Sequence, residues 1–137
     1  MEQREKILRR VALKCQDFAR QLSYHRSLMK YRSMRLYFWK SVYNNAIDLA
    51  VLDWLHLFGS HSDDLHWKKV VTDRRAFRDG LLNHLRIDEI EWRAYRETVK
   101  NYRDKDVAHV EVRTEGNVPH MSTALEAASY YYKHVLL

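Results

Sequence analysis

The sequence predicts an all-α fold, a bundle of four to five helices, and three observations predict it. Only three Gly and one Pro occur in 137 residues, too few for the tight turns an all-β chain needs. Apolar side chains recur at three- and four-residue spacing along most of the chain, the period of a helix with one buried face. An apolar fraction of 46% at this length supports one domain, residues 1–137, with a core of its own.

The first helix is expected from residue 2 to about 30, with Ile7, Val11, Cys15, Phe18, Leu22, His25 and Met29 on one stripe and a basic opposite face. The second runs from Ser33 to Phe58. Its stripe of Leu36, Trp39, Tyr43, Ile47, Ala50, Trp54 and Leu57 is widened by Phe38, Val42, Leu49 and Leu52, the pattern of a helix central to a bundle. Gly59 stands where a left-handed cap would end it. Asn44, Asn45, Asp48 and Asp53 are polar exceptions; facing inward they need partners, either as supports for a functional site or as ordinary helix contacts.

Residues 59–68 read as a loop that Trp67 pins to the bundle. His56, His61, Asp63, Asp64 and His66 gather there, but their spacing matches no standard zinc signature and no cysteine is near, so neither metal nor cofactor is expected. The third helix spans about Asp73 to Leu85, capped by Thr72 or Asp73, with Phe77, Leu81 and Leu85 inward and Gly80 weakening it. Asp88 caps the fourth, which passes through Trp92, Tyr95, Val99 and Tyr102. A loop at 113–122 holds Gly116 and Pro119. Thr123 with Glu126 offers a capping box for the last helix, where Leu125, Ala128, Tyr132 and Val135 point inward.

The net charge of +6 is uneven: residues 1–40 hold 11 Lys/Arg against 3 Asp/Glu, the rest 13 against 15. Such a surface suits a polyanion, most commonly nucleic acid, although a basic helix face also serves solubility alone. The lone Cys15 has no partner for an internal disulfide, which fits a reducing, cytoplasmic setting. No uninterrupted apolar run reaches membrane-spanning length and the first residues are charged, so a soluble protein without membrane contact is expected.

The chemistry-bearing stretch is 102–109, Tyr-Arg-Asp-Lys-Asp-Val-Ala-His. Arg103 offers a fixed fork of donors suited to a phosphate, and His109 can exchange protons near neutral pH. An Arg followed at this distance by a His also occurs at Arg20/His25, Arg78/His84 and Arg113/His120, so spacing alone is unspecific. Arg103/His109 differs in context, closing an aromatic helix with Asp104 after the Arg. In a straight α-helix His109 falls about 20° from Tyr102, whereas Arg103 and His109 diverge by about 120°. Gripping one phosphate therefore needs local unwinding or a second copy of the chain.

The string at 102–109, together with the second helix, the Trp-Leu-His-Leu-Phe-Gly-Ser turn at 54–60 and the His-Trp pair at 66–67, resembles the HEPN superfamily (higher eukaryotes and prokaryotes nucleotide-binding), most closely its abortive-infection, AbiU-like branch. The resemblance spans the chain from about Ser33 to the end. It implies an up-and-down helical bundle that dimerises so that two Arg/His motifs face one cleft, and a metal-independent endoribonuclease of a toxin or phage-defence type. Arg103 and His109 match the family's catalytic pair, and Asp104 its following polar position. A non-catalytic HEPN module binding nucleotide, RNA or protein would share the same features, as a plain helical interaction domain would share the bundle. The resemblance leaves room for an antitoxin or regulatory protein as partner. Some HEPN toxins carry a modifiable Tyr two residues after the His; Glu111 stands there, so that route of control is not expected.

Overall fold

Why the second helix is central follows from its side chains: Ile47, Ala50, Val51, Trp54, Leu57 and Phe58 recur every three or four residues and all have no solvent exposure. A computed structural model describes residues 2–31, 37–60, 62–107 and 118–136. The chain is an all-α bundle. Its helices are α1 (Glu2–Leu28), α2 (Tyr37–Phe58), α3 (Trp67–Val70), α4 (Arg74–Leu85), α5 (Glu89–Tyr102) and α6 (Ser122–Leu136). A 3-10 turn, Met29–Tyr31, follows α1, and a π turn, Arg103–Val107, follows α5. The described residues include no strand and no helix long and apolar enough to cross a membrane.

α1 lies along α2 and also touches α6; α4 packs on α6 and α5 on α2. Val11, Cys15, Phe18, Leu22 and His25 form the buried stripe of α1, and burial pushes the Cys15 thiol up to about 12. The centre is aromatic. Trp54 meets Trp92 and Tyr95 edge-on, and Phe58 meets Trp92 and Tyr131 in the same way, the orientation favoured by the ring quadrupoles. Trp67 is buried and stacks on Phe77, which pins the 59–66 segment to the bundle.

Local capping works as the sequence indicates at two helix starts. Asp73 Oδ1 accepts from the Ala76 N–H at 3.0 Å, and Asp88 Oδ1 from the Glu91 N–H at 2.8 Å. Two expectations fail. Gly59 is not in the left-handed region: its N–H bonds to the Leu55 carbonyl at 2.8 Å, and a Cβ there would lie 2.6 Å from that oxygen. Glycine is needed for closeness, not for handedness. Thr123 is not the cap of the last helix either, because α6 begins at Ser122 and Glu126 reaches His84 instead, 3.1 Å away. Its cap comes from another helix. Tyr95 Oη accepts from the Ala124 N–H at 3.2 Å and donates to the His120 carbonyl at 2.6 Å.

Candidate functional site

α5 delivers Tyr102 to the interior, where its ring is buried and its hydroxyl donates to Asp48 Oδ1 of α2 at 2.8 Å. Asp48, one of the polar exceptions of the second helix, is thus the group that fixes the chain immediately before Arg103. The helix changes character at that point. Arg103 closes α5, its N–H shared between the Val99 and Lys100 carbonyls, and opens the π turn. Single π turns inside helical runs recur at functional sites. Asp104 and Asp106, weak helix formers, stand in that turn. The motif therefore does not continue as a straight α-helix, the geometry on which the 120° divergence rests.

Arg103 is one-third exposed, and the one hydrogen bond of its side chain among the described residues runs from Nε to Asp104 Oδ1 at 3.0 Å. That bond holds the guanidinium plane from its inner edge. The terminal nitrogens carry the remaining donors, the pair suited to two phosphate oxygens. His109 lies outside the described residues.

Two of the other three Arg/His pairs are occupied by structural contacts. Arg20 pairs with Asp17, while His25 is buried with Nδ1 3.0 Å from the Tyr43 carbonyl. Arg78 pairs with Glu89 at 3.4 Å and His84 with Glu126. Arg113 lies outside the described residues. In the histidine-rich loop, His56 pairs with Asp63, and His66 caps α3 by accepting the Lys68 N–H on Nδ1 at 3.1 Å. His61 lies outside the described residues. Burial works against the Asp63 carboxylate, yet bonds from His56 and the Leu65 N–H hold it below the usual range. No group of three or more metal-ligating side chains comes together among the described residues.

A cavity of about 370 Å³ opens between the end of α1, the first half of α2 and residues 118–122. His25, Arg26, Asn44 and His120 are the main polar side chains lining it. Asn44 stands one turn before Asp48, and the Asp48 charge acts on His25, so this cavity adjoins the anchor of Tyr102. Its volume suits part of a nucleotide. Arg26, Asn44 and His120 carry no local signature in the sequence, since three separate segments bring the lining together.

The basic face of α1 is partly tied into the fold. Arg4 donates to the Val70 carbonyl at 3.1 Å and Lys14 to Asp53 at 3.4 Å. Lys6, Arg9 and Arg10 remain on the exposed face.

Comparison with known proteins finds no matching family model, curated protein or solved structure.

Proposed function

We propose that the chain is a metal-independent endoribonuclease of a toxin or phage-defence type, of the HEPN superfamily and its AbiU-like branch, working as a homodimer through Arg103 and His109. The observation that carries this reading is the setting of Arg103. Its neighbour Tyr102 is locked to Asp48, its own Nε is held by Asp104, and it stands at the start of a π turn. Such an arginine is positioned for an oxyanion.

RNA carries its nucleophile in the 2′-hydroxyl, so the protein has only to move protons and stabilise charge. His109 takes the 2′-hydroxyl proton or returns one to the departing 5′-oxygen, while Arg103 stabilises the charge that builds on the non-bridging phosphate oxygens. The 2′-oxygen bonds to phosphorus as the bond to the 5′-oxygen breaks. Products are a 2′,3′-cyclic phosphate and a 5′-hydroxyl. Asp104 is a positioning residue, acting through Arg103.

The test is cleavage of mixed cellular RNA in EDTA with analysis of the product ends. His109→Ala and Arg103→Ala should each lower the rate by at least about 10²-fold without unfolding the protein. Substrate with 2′-deoxyribose at the cut site should resist. Equal cleavage of the deoxy substrate, or full activity of His109→Ala, overturns the nuclease reading. RNA binding without cleavage leaves the non-catalytic module.

A further inference from the structure

A second concentration of cations lies away from the first forty residues. Lys68 of α3 and Arg74, Arg75 and Arg78 of α4 line, with Trp67, a groove of about 450 Å³. No carboxylate is among its lining residues. Glu89 of α5 pairs with Arg78 and its charge also acts on Lys68, but the Arg78 and Glu89 side chains are each about half exposed. The crowding is electrostatically costly: burial, then the charges of Arg96, Arg78 and Arg74, hold the Lys68 ammonium below its usual range. Like charges gathered in a concave surface focus a field that attracts an anion.

Trp67 is 3% exposed, and its buried Nε1 has no acceptor among the described residues. Arg96, whose charge acts on Lys68, also has a buried Nε with no acceptor among the described residues, while its guanidinium rests on the Trp92 ring at 5.9 Å. Buried donors are ordinarily satisfied, and both of these lack an oxygen rather than a proton.

α5 gives the groove a direction. Arg93, Arg96, Lys100 and Arg103 recur at steps of three, four and three residues, within about 80° of one another around the helix axis. Arg96 precedes Arg103 by two turns, about 10.5 Å along the helix. The carboxylates interleaved with this row are themselves paired: Glu97 lies 3.7 Å from Lys100, and Asp104 holds Arg103.

We infer that the α3–α4 groove, continued along α5 by Arg96 and Lys100, binds the phosphodiester backbone of a single RNA strand whose cut site lies at Arg103. The cut site belongs to the nuclease reading, on which this inference rests; the groove binds phosphates several nucleotides away. Guanidinium forks match phosphate oxygens two at a time. Trp67 is buried and offers no open ring face for a base, so recognition is of backbone and shows little preference for sequence.

The experiment compares Arg74→Gln/Arg75→Gln/Arg78→Gln with a control that removes equal charge from α1, Lys6→Gln/Arg9→Gln/Arg10→Gln. Binding of a fluorescent oligoribonucleotide long enough to cover groove and motif is measured against salt, in a His109→Ala background. The groove variant should lose at least about tenfold in affinity, and its log K against log salt slope should become shallower by about 2, the share of three single-strand phosphates. The control should keep most of the slope. In the His109 protein the groove variant should raise KM for long RNA and leave cleavage of a dinucleotide unchanged, whereas His109→Ala abolishes both. If no RNA is cut by any form, the nuclease reading falls and the binding arm still decides the groove. Unchanged affinity and slope, an equal loss in the control, or an equal loss on the dinucleotide overturns the inference. Binding of phosphatidylglycerol vesicles that the groove variant loses, with RNA binding intact, overturns it too. Should the triple variant fail to fold, Arg74→Gln/Arg75→Gln, both exposed and on the first turn of α4, carries the same comparison with a slope change of about 1.

Discussion

His25 is held by one bond to a main-chain carbonyl, and that bond sets its chemistry. A carbonyl only accepts, so Nδ1 carries the proton and the neutral ring presents a lone pair on Nε2. Burial lowers its pKa below the usual histidine value, the Tyr43 carbonyl and Asp48 oppose the shift, and Arg26 adds to it. The unfolded chain then takes up this proton at a higher pH than the folded one. Stability linked to His25 is thus complete above about pH 6.5 and is lost as pH falls through the folded pKa. The urea midpoint should drop between about pH 7.5 and pH 5.5, and His25→Gln should remove part of that drop. An identical pH dependence in the variant would mean that the ring titrates as it does in the unfolded chain. The same residue lines the cavity beside Asp48, so a side chain placed on an apolar stripe by its spacing also borders the candidate site.

Among the elements, α4 ends in a strained way that can be tested. Arg86 has φ 58°, its N–H bonds to the Asn83 carbonyl, and the Ile87 N–H bonds to Leu82, the double bond pattern of a helix closed by a left-handed residue. Glycine adopts that conformation without a Cβ penalty, so Arg86→Gly should stabilise the protein by roughly 0.5–1 kcal/mol and raise the thermal midpoint. A lower midpoint would show that the Arg86 side chain contributes more than its backbone costs. Nothing in the local sequence marks this position, whereas Asp73 and Asp88 were legible as caps because a cap bonds within its own first turn. The same distinction runs through the whole chain. The stripes of α1 and α2 are periodic and could be read directly. Tyr95 capping α6, Leu55 crowding Gly59 and Asp48 holding Tyr102 join parts of the chain that only packing brings together, or depend on the path the backbone takes. At the candidate site, residue types single out Arg103 and Asp104, and the structure adds the bond between them. The π turn was not legible, since it reflects how α5 ends against α2. The cationic groove was missed because net charge over residues 41–137 averages Arg74, Arg75 and Arg78 with acids on other faces.

At the scale of the whole molecule, α2 carries exposed apolar side chains. Phe38 is 67% exposed and Leu49 47%, and with Val42 they fall within about 40° of one another around the helix, over a length of about 16 Å. An apolar row of this kind on the central helix fits a second copy of itself, since a two-fold axis brings the same patch from each subunit together. Leu49 follows Asp48, the residue that holds Tyr102, so pairing along this face would set two Arg103 corners on a common side of the proposed dimer. Light scattering at concentrations on the order of tens of micromolar should report twice the chain mass. Phe38→Glu/Leu49→Glu places like charges across the axis and should give a monomer with unchanged helical circular dichroism, because neither side chain is part of the buried core. If the cleft takes a motif from each subunit, RNA cleavage should fall with the dimer, and mixing this variant with the His109→Ala protein should not restore it. A monomeric wild type, or a dimer indifferent to the two glutamates, would remove this face as the interface and require each chain to bring Arg103 and His109 together alone.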